Sequence, residues 1–227
     1  MTNRHKQLRG YFITGTDTGV GKTFVCQILL RHLRDKGVAA VGFKPVASGS
    51  EITSAGLRNA DACALQQASA GDVAYASINP YAFAAAVAPH LAAEDQGIEI
   101  DLSHILACIN ALPAACVIVE GVGGWQVPVN ACETTADLAE RLALPVIMVV
   151  GMRLGCLNHA LLTAAAIRAQ GLTLAGWVAN MIDPEFELAE RNVDALARRL
   201  DAPLLAQLPW GSNASVQSAA ARIVLPV

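Results

Sequence analysis

Apolar positions along this chain fall into two kinds of run that alternate from end to end. Gly10–Thr14 (GYFIT), Val38–Lys44 (VAAVGFK), Cys116–Val119, Pro145–Val150, Leu172–Ala179 and Leu204–Leu208 are short and continuously apolar. Without polar alternation they predict strands buried on both faces. Between them, helical spacing predicts helices over Lys22–Lys36, Asp61–Ala68, Leu102–Leu112, Asp137–Leu142, Asn158–Gln170 and Leu188–Leu200. Gly37 and Gly171 are stop signals, and Asp101 is placed to cap the helix after it. The alternation predicts an α/β fold with a doubly wound, mainly parallel sheet and helices on both faces. No repeat, low-complexity tract or linker interrupts it, so residues 1–227 read as a single domain. Ligands of such sheets bind beyond the carboxyl ends of the strands. Chemistry is therefore expected just after Thr14, Val41, Val119, Val150 and Ala179.

Composition narrows the partners. Hydrophobic residues make up 54% of the chain, charged residues 15%, and the formal net charge is −3. No basic patch or tail suggests nucleic acid. The apolar runs, such as Val146–Val150, are far below a membrane span, and MTNRHKQLRG at the start lacks the apolar stretch of a signal peptide. The expectation is a cytoplasmic protein with no membrane or nucleic-acid partner. Cys26, Cys63, Cys108, Cys116, Cys132 and Cys156 form no CxxC pair and read as core or near-core residues, with no neighbouring base to activate a thiol.

Three places carry candidate chemistry. Gly15-Thr16-Asp17-Thr18-Gly19-Val20-Gly21-Lys22-Thr23 lies between the first strand and the first helix. Backbone amides of such a loop wrap phosphate oxygens and the helix start adds its positive dipole end. Lys22 would reach the β- and γ-phosphates and Thr23 would ligate Mg²⁺. The strict pattern puts its first glycine where Thr16 stands, so Gly15 is one residue early. Of four lysines (Lys6, Lys22, Lys36, Lys44), Lys6 and Lys36 sit where solvent-facing charges belong. Lys44 instead ends an apolar strand before Pro45, placed to stabilise charge on a transferring phosphoryl group or to snorkel from the strand end. Glu120 follows a buried strand directly, ahead of Gly121-Val122-Gly123-Gly124, where P-loop proteins place a metal-coordinating carboxylate. Asp61 could serve the same metal or simply cap its helix.

Together these segments resemble the dethiobiotin synthetase family, within the P-loop NTPase-like folds. GTDTGVGKT (15–23), KPVASGS (44–50), NADA (59–62), NPYAF (79–83) and APH (88–90) occur in family order, followed by VEGVGGWQVP (119–128), GCLNHALLT (155–163), VAN (178–180) and LPW (208–210). The resemblance implies that 7,8-diaminononanoate, CO₂ and ATP give dethiobiotin, ADP and phosphate. A carbamate would attack the γ-phosphate, and the second amine would close a cyclic urea from the mixed anhydride. It further implies Lys22, Lys44 and Thr18 as catalytic residues, Thr23, Asp61 and Glu120 as ligands of Mg²⁺, and Ser48 at the carbamate or amine. ATP would lie on Gly19, Val20, Gly21, Lys22, Thr23 and Phe24, on Asp61 and Glu120–Gly123 (Gly121, Val122 included), and on Asn180, Met181, Pro209, Trp210 and Gly211, with Asn180 reading the adenine. Asn158 would bind the substrate carboxylate across a homodimer interface. Two features depart from the family. Gly211–Gln217 holds no carboxylate, and Glu187–Leu200 holds no tyrosine for the substrate tail, although Asn192 could substitute.

Three other readings start from the same loop. A cobyrinate-type amidoligase would carry a second, glutamine-hydrolysing domain, for which 227 residues leave no room. A nucleotide-switch ATPase or small GTPase would show a lysine early in the loop, where Asp17 stands, or an NKxD where Asn180-Met181-Ile182-Asp183 stands. A small-molecule kinase would show an arginine-bearing lid, and no such cluster is visible.

Overall fold

In the computed structural model of the protein, which describes residues 8–114, 116–211 and 215–225, the six continuous apolar runs all become strands of one sheet. The chain begins β1 (Arg9–Gly15), α1 (Lys22–Asp35), β2 (Ala40–Phe43), β3 (Val46–Ala47), β4 (Glu51–Thr53), β5 (Gly56–Arg58) and α2 (Ala60–Ala68). It continues through α3 (Tyr75–Ile78), β6 (Tyr81–Ala82), α4 (Pro89–Glu94), α5 (Leu102–Asn110), β7 (Cys116–Glu120) and α6 (Thr135–Leu142). It closes with β8 (Val146–Met152), α7 (Cys156–Ala169), β9 (Leu174–Met181), α8 (Ala189–Ala197), β10 (Leu204–Leu208) and α9 (Val216–Ala220).

The main sheet has the order β10-β9-β8-β1-β7-β2, and every neighbouring pair is parallel. From the central β1 the chain first moves to β2 and later, through β8, β9 and β10, in the opposite direction. Right-handed crossovers therefore put α1 on one face and α6, α7 and α8 on the other. The packing agrees: α1 lies on β1, β2 and β7 with α2 and α9 against it, while α7 lies on β8 and β9 beside α8. β7 and β8 are buried at every position, as strands covered on both faces must be. Phe12 on β1, Phe43 on β2 and Trp177 on β9 are the largest wholly enclosed side chains of the sheet. Each contributes on the order of 2–3 kcal/mol by leaving water.

Helix starts differ instructively from the expectations. α2 is capped by Asn59, whose Oδ1 accepts the Ala62 amide at 3.2 Å, so Asp61 is not the cap. α7 begins at Cys156 with Gly155 at its N-cap, so Asn158 lies inside the first turn and caps nothing. Asp101 does cap α5, accepting the Ser103 amide at 2.7 Å. Thr134 and Asp137 form a reciprocal capping box on α6. Two small ribbons, β3–β6 and β4–β5, and the short helices α3 and α4 fill the stretch between β2 and α5, where the apolar pattern predicted only one helix. All six cysteines are free; Cys132 is exposed rather than near the core, because it sits in the loop before α6. Lys36 is exposed as expected, and Lys6 lies outside the described residues.

Candidate active site

Parallel pairing brings the carboxyl ends of β1, β2 and β7 to one edge, and three segments converge there. Phe43 lies beside Val119 in register, so Lys44 emerges level with Glu120, the last residue of β7. The Lys44 Nζ donates to Glu120 Oε1 at 2.6 Å and to Asp61 Oδ2 at 3.2 Å. The Thr23 hydroxyl donates to the same Glu120 oxygen at 2.9 Å. Lys44 is 4% exposed and Glu120 1%. Taking two such ions out of water costs several kcal/mol each, so this pair is poor evidence of stability and better evidence of use. Glu120 Oε2 is buried and has no hydrogen-bond partner among the described residues.

The charges tune one another. Burial pushes the Lys44 ammonium down, but the Glu120 and Asp61 carboxylates outweigh it and hold it above its ordinary value. Burial likewise pushes Asp61 up, and the Lys44 charge together with the Thr23 hydroxyl brings it below its ordinary value. Among the described residues Lys22 contacts no carboxylate; its Nζ donates to the Asp17 carbonyl at 3.1 Å. Burial first, then repulsion from Lys44, lower it to about 8, with Glu120 offsetting only part. Cys26, beneath this cluster, is pushed well up by burial and by Glu120, which leaves it an unreactive thiol.

These groups line a cavity of about 660 Å³. Its wall includes Thr18, Gly19, Lys22, Thr23, Lys44, Ser48, Asp61, Glu120, Val122 and Gly123, ten of the residues singled out in the sequence. The Ser48 hydroxyl is buried and unpartnered. Val20, Gly21 and Gly121 belong to the same loops and Phe24 to the first turn of α1, but none of them is on the cavity wall. Asn180 and Met181 end β9 behind the phosphate loop, and Leu208 pairs with Asn180, so Pro209, Trp210 and Gly211 emerge next to it. Trp210 is 56% exposed there. Residues 212–214 of the carboxylate-free segment lie outside the described residues. Asn158 is exposed on α7 and does not reach the cavity of its own chain.

Other residues hold this arrangement without having been singled out. Asn79 donates its amide to the Lys44 carbonyl at 2.7 Å and accepts from the Tyr75 hydroxyl at 2.9 Å. Tyr75 accepts the Asn59 amide at 2.8 Å, and Asn59 Nδ2 donates to the Ser48 carbonyl at 3.2 Å. One buried network thus fixes Lys44, Ser48 and the start of α2 together. The asparagines of NPYAF and NADA were its visible signal. Arg153, after β8, forms an ion pair with Asp17 of the phosphate loop; two lone charges 136 residues apart gave no signal.

Known proteins place this geometry. The family described as AAA domain matches residues 9–218. The septum site-determining protein MinD of Pyrococcus horikoshii OT3, complexed with Mg-ADP, superposes with a TM-score of 0.54 at 15% identity, covering 89% of this chain and 81% of that one. The MinC:MinD cell division complex of Aquifex aeolicus gives 0.53 at 16%, covering 95% and 86%. At such identities the likeness is one of fold. Fold and loop together define a nucleotide-binding protein of the P-loop class. In sequence, the chain is 51% identical to the ATP-dependent dethiobiotin synthetase BioD of Aromatoleum aromaticum over 220 residues, 96% of this chain and 98% of the relative. It is 50% identical to that of Xanthomonas oryzae pv. oryzae strain PXO99A over 218 residues, 95% and 97%. To that of Pseudomonas aeruginosa strain UCBPP-PA14 it is 48% identical, covering 95% and 96%. The chain belongs to the ATP-dependent dethiobiotin synthetase family.

Proposed function

We propose that this cavity closes the urea ring of dethiobiotin, with residues 1–227 acting as one domain in a cytoplasmic homodimer. Membership of the family makes the chain an ATP-dependent cyclo-ligase of biotin biosynthesis, acting on 7,8-diaminononanoate and CO₂. The observation that carries the site assignment is that both buried lysines of the described residues, both candidate carboxylates and an unpartnered buried hydroxyl line one cavity.

Carbamate and triphosphate are both anionic and repel each other, so the reaction needs fixed cations between them. Lys22, which lacks a carboxylate partner, meets the β- and γ-phosphates. Lys44, held charged by Glu120 and Asp61, faces the transferring phosphoryl group. Ser48, with Thr18 across the cavity, offers its hydroxyl to the carbamate or amine end of the substrate. The carbamate oxygen attacks the γ-phosphorus and ADP leaves. The second amine then attacks the carbamate carbon, and phosphate departs with the oxygen that bound it. Thr23, Asp61 and Glu120 suit a divalent cation: the two acids already converge on one ammonium, and Glu120 Oε2 is buried with nothing to meet it. Mg²⁺ held there would neutralise charge on the phosphate oxygens.

The homodimer is supported by α7. Leu162 stands on its outer side one turn after Asn158 and is 61% exposed, and Leu154, in the turn just before the helix, is 88% exposed. Two exposed leucines flanking Asn158 give a second covering surface an apolar foothold. A second copy of α7 would cover them and carry the partner's Asn158 toward a cavity that its own chain does not let it reach. There it would take the carboxylate at the far end of the substrate.

The route is tested by isotope transfer. With bicarbonate labelled by ¹⁸O, the released phosphate should carry one labelled oxygen per dethiobiotin formed. Label-free phosphate beside labelled dethiobiotin would rule out attack by the carbamate oxygen.

A further inference from the structure

The phosphate loop leans on β9 at one point. Asn180, at the buried end of that strand, donates from Nδ2 to the Val20 carbonyl at 2.9 Å, across 160 residues of sequence. Gly21 sits against the same amide: a Cβ placed on it would lie 2.2 Å from Asn180 Nδ2, and its φ is +89°. A Cβ on Gly151, at the end of β8, would lie 2.8 Å from Val20 Cγ1 and 2.6 Å from Ile182 Cδ1. The Val20–Gly21 peptide is therefore wedged against the ends of β8 and β9, and among the described residues its polar tie in the wedge is the Asn180 amide.

Peptide planarity gives that tie a consequence. In a trans peptide the C=O and the N–H of the next residue point in opposite directions. With the Val20 carbonyl turned to Asn180, the Gly21 N–H must point the other way, toward the inside of the loop. Gly21 is the N-cap of α1 and no side chain caps that helix start, so its free amides are kept for an anion. If the peptide flipped, a carbonyl would face the phosphates in place of an amide. At a glycine with positive φ such a flip meets no Cβ and is cheap.

We propose that Asn180 is a positioning residue for phosphate binding: its amide locks the Val20–Gly21 peptide with Gly21 N–H facing the phosphates, so that the residue reading the base also sets the loop. The proposal deepens the ATP-site reading above. It requires Asn180 to matter for a ligand that has no base at all. Binding of the base would also pull on the group that orients the loop, coupling the two ends of the nucleotide.

Calorimetry with inorganic tripolyphosphate in Mg²⁺, beside ATP, tests this on the full chain. Asn180→Leu keeps the shape of the side chain and removes its donor, and Asn180→Ala removes both. Melting curves establish that each variant is folded. Both should bind tripolyphosphate roughly tenfold more weakly than the wild type. Trp210→Ala, at an exposed residue that the family resemblance puts at the base, should weaken ATP while leaving tripolyphosphate unchanged. If the Asn180 variants lose ATP affinity but hold tripolyphosphate as the wild type does, Asn180 is a base reader alone and the lock is wrong. If they lose neither, the ATP-site assignment of Asn180 fails as well. If neither Asn180 variant folds, Gly21→Ala, which drives a Cβ into the Asn180 amide, must weaken tripolyphosphate to the same degree; unchanged binding there overturns the lock.

Discussion

Replacing Lys44 with methionine keeps the stem and removes the charge, and its cost can be worked from the contacts. In the wild type the ammonium is the cation for Glu120, which is buried, and for Asp61, whose side chain is 46% exposed. Stripping one partner from a buried pair costs about 3–5 kcal/mol, because the remaining charge has no water to return to. The half-exposed Asp61 contact adds less than about 1 kcal/mol. At about 3 °C per kcal/mol for a chain of this size, the melting temperature should fall by about 10 °C or more. Magnesium alone should restore much of that loss, and should stabilise the variant more than the wild type, since it would supply the missing charge to Glu120 and Asp61. Turnover should fall roughly 100-fold, the worth of one oriented charge of about 3 kcal/mol, while ATP affinity changes less because Lys22 remains. Thermal melts with and without Mg²⁺, steady-state kinetics and ATP calorimetry check each part. A rate loss below about threefold with an unshifted melt would make Lys44 a snorkelling side chain and refute the argument.

Three further predictions follow from neighbouring contacts. Lys22, lowered to about 8 from an ordinary 10.5, binds fewer protons in the folded chain than in the unfolded one between those values. It therefore raises the stability of the ligand-free protein as pH climbs through that window, while ATP binding weakens there; Lys22→Met should remove both trends, seen in melts and titrations from pH 7 to 10. Glu120→Gln should move the Mg²⁺ dependence of turnover to higher concentration, and an unchanged titration would return Glu120 to a packing role. Asn158→Ala should raise KM for diaminononanoate with ATP binding intact. Mixed with Lys22→Ala protein it should regain part of the activity, and no recovery between subunits shown to exchange would contradict the shared site.

Much of the architecture was legible because the strands are covered on both faces, which leaves continuous apolar runs with no second interpretation. The site's charged residues were legible for a related reason: Lys44 and Glu120 stand at the ends of runs that otherwise exclude charge. The stretch between β2 and α5 was not, because β3, β4, β5 and β6 are two or three residues long and α3 and α4 four and six, too short to show a period. Asp61 was ambiguous between metal ligand and cap, and Asn158 was expected to open its helix. The structure resolves both through a neighbour two or three residues upstream, Asn59 in one case and Gly155 in the other. The Asn59–Tyr75–Asn79–Lys44 network showed in the sequence only as its two motif asparagines, since the bonds that join them depend on tertiary folding that brings separate loops together.

The central claim is that this cavity uses ATP to close a cyclic urea. Purified protein given 7,8-diaminononanoate, bicarbonate, ATP and Mg²⁺ should yield dethiobiotin, ADP and phosphate in equal amounts, with no ADP formed when the diamine is omitted. ADP release that ignores the diamine, or a phosphorylated product in place of the cyclic urea, would contradict it.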